Sequence, residues 1–241
     1  MLAAMLTLAD PVGDVPPPGY AWPQAAPYHQ VGFADLVGFR VLNRGGRLWV
    51  GFQLDRTPNP GGAPLGFSLA VLADSIDAGP GGVSRLPGAG FRVPKGKEPE
   101  ILVVVSGWGA ARYRLDGAKA PARLTARREG DWILVDTGLP WGRYRHYPVV
   151  GLYDPFAPFG FRETSPTGGL WQLKAPAGAP AAVDVLDPGA YARGLLRPAR
   201  FSRLPGPRAF AEGILALLAG LFVAWGGVGW LRRVRETRAD R

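Results

Sequence analysis

The side chains of this chain that could do chemistry are carboxylates, histidines and aromatics, because cysteine is absent. Its absence excludes disulfides, thiolate metal sites and a Cys nucleophile. Glycoside hydrolysis needs two carboxylates facing one cleft, and the candidates are Asp74 with Asp77 and Asp154 with Glu163. Asp74 and Asp77 read as turn formers at a strand end. Asp154 precedes Pro155, a common turn opening, and Glu163, next to Arg162, reads as half of a surface ion pair. Ser106 has no GxSxG context that would make it a nucleophile. His29 and His146 sit in different predicted loops. No catalytic set emerges, so the chain is expected not to be an enzyme.

The aromatics suggest recognition instead. Sugar rings present apolar C–H faces that stack on Trp or Tyr, while Asp, Asn, Arg and His hold the hydroxyls. Trp22, Tyr28, Trp108, Trp141, Tyr144 and Tyr147 lie in or beside loops rich in Gly and Pro. WGRYRHY at 141–147 is the densest group, with Arg143, Arg145 and His146 interleaved, and it is the expected platform. The alternative for each Trp is that it completes a core. Trp49 is expected to point outward, since it alternates with Leu48 and Val50, and Trp132 to be core.

The elements that must position these residues read as short strands. With 35 Gly and 25 Pro, short apolar runs between turn signals predict an all-β antiparallel sandwich. Residues 36–42 and 47–54 flank NRGG and form a hairpin. Further strands are expected at 66–73, 101–105 (covered on both faces), 122–128, 132–136, 147–153 and 182–186. The loops 55–64, 77–99, 137–146 and 154–181 are long for connectors, and binding residues tend to sit in such loops.

The formal net charge of +9 does not mark a nucleic-acid binder. Residues 188–241 hold ten Arg against three acids, a net of +7, and residues 1–187 hold 18 Lys plus Arg against 16 acids, a net of only +2. The basic excess flanks GILALLAGLFVAWGGVGWL at 213–231. This uncharged run is long enough at helical rise to cross the roughly 30 Å of a bilayer's hydrocarbon core. Five Arg follow it, a stop-transfer pattern that places the tail 232–241 in the cytoplasm. Residues 1–9 resemble the end of a signal peptide, with Thr7 and Ala9 before Asp10. The expected organisation is therefore a signal remnant at 1–9, an exported sandwich at 10–188, a basic stalk at 189–208, a single membrane helix at 209–231 and the tail. Two Asn, four Gln and two Met alongside the many prolines resemble thermophile usage.

DPVGD at 10–14, GYAWP at 19–23 and FADLVGFRV at 33–41, then LGFSLAVLADSIDAGPGG at 65–82 and VVVSGW at 103–108, spell an ordered pattern. It continues with YPVVGLYDPFAPFGFRE at 147–163 and closes with PAAVDVLDP at 180–188. Over residues 10–188 the chain resembles the glucodextranase C-terminal module family, DOMON-like or S-layer-homology-like β-sandwiches. The resemblance implies a non-catalytic module binding α-glucan or cell-surface polysaccharide, with Trp22, Trp108, Trp141, Arg143, Tyr144 and His146 as the candidate contacts. Family members end glucan-degrading enzymes or stand alone at the membrane, linked to amylopullulanase regulation, which implies an amylolytic enzyme as partner. The rival readings are a regulatory surface protein with a protein partner and, from the DOMON likeness, a haem domain. Haem would need the histidines as axial ligands, and no CxxCH attachment site is present. No cofactor is expected, with calcium at Asp10 and Asp14 as the alternative. The family opening usually carries a second acid where Val15 stands here, and two acids alone are a poor site for an ion that takes six to eight oxygens.

Overall fold

The computed structural model describes residues 5–116, 120–187 and 189–201. Its strands in chain order are β1 (Met5–Ala9), β2 (Leu36–Arg44), β3 (Arg47–Leu54), β4 (Ala70–Asp77), β5 (Ile101–Ser106), β6 (Gly109–Arg114), β7 (Ala122–Leu124), β8 (Ala126–Glu129), β9 (Trp132–Pro140), β10 (Arg145–Leu152), β11 (Thr164–Ser165), β12 (Leu173–Lys174) and β13 (Ala182–Val185). One antiparallel sheet runs β1-β2-β3-β9-β8 and the other β13-β10-β4-β5-β6-β7, with β11 and β12 a small parallel pair. The described fold is all-β save for two 3-10 turns and one helical turn, α1 (Ala190–Arg193).

The NRGG hairpin forms as read. Gly45 and Gly46 take φ of 60° and 78°, the left-handed pair that a two-residue turn between twisted strands demands. Asn43 Oδ1 accepts from Gly46 N at 2.9 Å. Between the sheets, Phe39, Val50 and Phe52 of one layer meet Leu72, Val103, Val105 and Val150 of the other. Each such buried side chain contributes about 1.5–3 kcal/mol.

β5 is covered on both faces, as its unbroken apolar run predicts. Val103 and Val105 enter the inter-sheet core, while Leu102 and Val104 enter a second core outside the sheet. That second core is roofed by the segment 77–99, which buries Leu86, Phe91 and Val93. This long loop is therefore a packed cover over the sheet.

Several expectations are corrected. Residues 5–9, read as signal remnant, form the edge strand β1, paired from Met5↔Leu42 to Ala9↔Gly38. Asp74 and Asp77 are not turn residues but lie within β4, buried. Trp132 does not enter the core; it lies on the outer face under Arg40, whose guanidinium sits 4.1 Å from the ring. Trp49 shares that face, flanked by Arg44 and Arg127 at 5.2 and 5.0 Å. Among the described residues no helix is long and apolar enough to cross a membrane. The stretch 213–231 and the tail after it lie outside the described residues, as does the stalk from residue 202 on.

Candidate functional site

The β5–β6 ladder closes at Ser106↔Gly109, leaving Gly107 and Trp108 as the turn. Gly107 is pressed against the chain beneath it: its carbonyl accepts from Leu65 N at 2.9 Å, and a Cβ on it would lie 1.7 Å from the Phe67 carbonyl oxygen. With Gly107 fixed, Trp108 projects outward and stays 50% exposed. Gly107→Ala is expected to cost about 1–3 kcal/mol through forced overpacking, read as a lower urea midpoint. The same variant should disturb Trp108 fluorescence, because the turn must lift off residue 67 to make room.

One face of Trp108 rests on Tyr153, with ring centroids 5.0 Å apart and planes 25° from parallel. Tyr153 directly follows β10, which pairs with β4 as β4 pairs with β5. Sheet order alone thus brings the two rings together. The stack lines an open groove of about 440 Å³ with Trp171, Tyr28, Arg162 and Ser68, within the size range of small-ligand sites. Trp171 is also half exposed.

Arg162 holds this groove together. Its Nη1 donates to the Trp171 carbonyl at 2.8 Å and its Nη2 to the Tyr153 carbonyl at 3.1 Å. It also lies 6.0 Å from the Tyr28 ring. Burial pushes the Tyr28 hydroxyl above its usual range, and the nearby Arg162 cation opposes that rise. Asp154 caps the adjoining turn, accepting from Phe156 N at 3.0 Å, and Phe156 stands 96% exposed at its tip. Asp154 is thus the turn former the sequence suggested.

A second open groove, about 420 Å³, shares Trp108, Tyr153 and Pro155 and adds Tyr113, Arg123 and Phe159. The Trp108–Tyr153 stack stands between the two.

Of the other aromatics read from sequence, Trp22 packs on Phe33 at 4.8 Å and Trp141 against the inter-sheet core. Tyr144 is half-buried and donates to the Pro140 carbonyl at 3.0 Å. Arg143 is exposed beside a shallow groove with Asp77 and Arg145. His146 is no surface ligand, because it is 3% exposed. Its Nδ1 lies 2.6 Å from Asp74 Oδ2, and Phe39, Tyr144 and Phe201 pack around the ring. Asp74 Oδ1 accepts from Tyr147 N at 3.0 Å. Burial pushes the Asp74 carboxyl up, while the histidine and this N–H pull it down. His146→Ala leaves a buried carboxylate without its partner, and a loss of about 3–5 kcal/mol is expected, measurable by chemical denaturation.

A second constellation is acidic. Asp10 directly follows β1, Asp14 lies in the same loop, and Asp184 lies in β13. Their carboxylate oxygens come within 4.8 Å of one another. Oxygens on opposite sides of one calcium ion stand roughly 5 Å apart, given bonds of about 2.4 Å, so these three can share an ion. Asp184 Oδ2 accepts from Leu36 N, and Asp35 Oδ2 from Gly13 N at 2.7 Å. Asp10 Oδ2 and Asp35 Oδ1 are buried without a hydrogen-bond partner, as oxygens awaiting a cation would be.

Burial and the neighbouring acids push Asp10 up to about 7 and Asp184 up to about 9. Burial also raises Asp35 and Asp14. The fit is better than Asp10 and Asp14 alone allowed, because Asp184 completes the set and Asp35 adds charge beside it.

Reading the sequence missed Tyr153, Trp171, Arg162, Asp35 and Asp184 as site residues. The two acids carried a signal, since each interrupts an apolar run: FADLV for Asp35 and AVDV for Asp184.

No curated protein matches the chain significantly. A family model described as the C-terminal binding module, SLH-like, of glucodextranase matches residues 5–193. That span runs from the first residue of β1 to the last of α1, and the chain belongs to this family of binding modules.

Proposed function

We propose that this module binds polysaccharide, with α-glucan the first candidate, through the Trp108–Tyr153 platform and without catalysis. The observation that carries the reading is the half-exposed indole of Trp108, stacked on Tyr153 and bordered by open grooves. Such a flat apolar face with hydrogen-bonding groups beside it suits the C–H face of a sugar ring. Membership of a binding-module family supports the same reading. Three of the four acids weighed for hydrolysis have other work: Asp74 and Asp77 hold His146 and Arg145, and Asp154 caps a turn.

Two further elements belong to the proposal. Residues 213–231 tether the module to a membrane with the domain outside, which would hold glucan near amylolytic enzymes; the apolar run and its Arg-rich flank support this. Calcium held by Asp10, Asp14 and Asp184 would neutralise the cluster and tie β1, its following loop and β13 together.

The test is affinity electrophoresis of the full chain in a detergent lacking a sugar head group. Retardation by starch, pullulan or dextran is expected, and equal mobility in all three gels and in a glucan-free gel would sink the glucan reading.

A further inference from the structure

The two grooves flanking the platform define how a glycan would lie. Each has Trp108, Tyr153 and Pro155 among its lining residues, so the stack forms a ridge with a groove on either side. Beyond the ridge, one groove offers Trp171 beside Arg162, and the other offers Tyr113 and Arg123. Both are open to solvent along the surface, and neither forms the closed end that recognition of a chain terminus requires.

We infer that the site takes an internal segment of a polysaccharide, with one sugar on Trp108 and at least one in each flanking groove. This rests on the glycan reading above. A terminal-sugar binder needs a pocket enclosing one ring, whereas here the exposed half of Trp108 lies between two open troughs. Each groove pairs an aromatic surface with an arginine, so each can stack on a ring and donate to its hydroxyls. Arg162 acts as a positioning residue, because both of its bonds go to backbone carbonyls of the aromatic loops.

The test is isothermal calorimetry of the full chain in the same kind of detergent against malto- and isomalto-oligosaccharides of one to seven units. Affinity should climb at least about tenfold from the monosaccharide to the tri- or tetrasaccharide and then level off. Reducing the terminal sugar with borohydride should leave the affinity of the longer chains unchanged. Trp171→Ala and Arg123→Ala should each lower long-chain affinity by about three- to tenfold while leaving the monosaccharide's unchanged.

Binding that saturates at one unit, or that is lost on terminal reduction, overturns the internal-segment inference and leaves glycan binding standing. No heat at any length in either series, together with no retardation in the gels, overturns both.

Discussion

Calcium added to EDTA-stripped protein at pH 8 is expected to raise its thermal midpoint by about 5–10 °C, and magnesium to raise it far less. The figure follows from mass action: a ligand at a hundred times its Kd stabilises the folded state by about 2.7 kcal/mol. In a domain of this size, each kcal/mol moves the midpoint by about 2–4 °C.

The pH dependence is the sharper reading. Asp184 is held up to about 9 and Asp10 to about 7 in the fold, against an ordinary carboxyl value near 4. A carboxyl raised in the fold favours its protonated form. Its contribution is present below the ordinary carboxyl range and is lost as pH rises through the folded value. The ion-free protein should therefore lose stability from about pH 4 upward, more steeply until Asp10 ionises at about pH 7 and more gently until Asp184 does at about pH 9.

Calcium replaces the protons and should flatten that decline. Magnesium demands a tighter octahedron and keeps its waters. Asp184→Asn should abolish the calcium response and, by removing one charge, make the ion-free protein more stable at pH 9. Midpoints that coincide with and without calcium at pH 8 would overturn the site.

The sandwich was legible wherever alternation separates the inter-sheet face of a strand from its other face, as in LWVGFQL of β3, whose Leu48, Val50 and Phe52 enter the inter-sheet core while Trp49 lies on the outer face. It was less so where both faces are covered. The acids of β4 read as turn formers because a carboxylate inside a buried strand is improbable until its partner is known. His146 and Arg145, the partners, lie on β10, far away in sequence. The same cause hid the candidate groove. Trp171, Tyr153 and Trp108 come from three separate loops that only sheet order unites.

WGRYRHY misled for a different reason. Composition registers aromatic density but not direction. Once β10 begins at Arg145, strand alternation sends His146 inward beside Asp74. Trp108 was legible because a two-residue turn at the end of a buried strand leaves a large side chain little choice but solvent.

That contrast sets up the second large effect. Trp108→Ala should remove glucan retardation and weaken binding by between about tenfold and a hundredfold, while the unfolding midpoint moves little. An aromatic side chain presents about 200 Å², and Trp108 leaves half of its surface exposed. Covering about 100 Å² at about 25 cal/mol per Å² gives about 2.5 kcal/mol, close to a hundredfold. Lost freedom of the bound chain lowers that figure toward tenfold. The stability cost is limited to the stack with Tyr153, about 0.5–1.5 kcal/mol.

Trp22→Ala and Trp141→Ala should behave in the opposite way. Both rings pack on the inter-sheet core, so their removal should lower the midpoint by several degrees and leave glucan affinity intact at temperatures where the protein stays folded. The three variants, compared in one affinity gel and one thermal melt, separate a platform at the β5–β6 turn from one at 141–147. Full retardation by Trp108→Ala, with loss of it in a folded Trp141→Ala, would move the site to the segment whose aromatic density first drew attention.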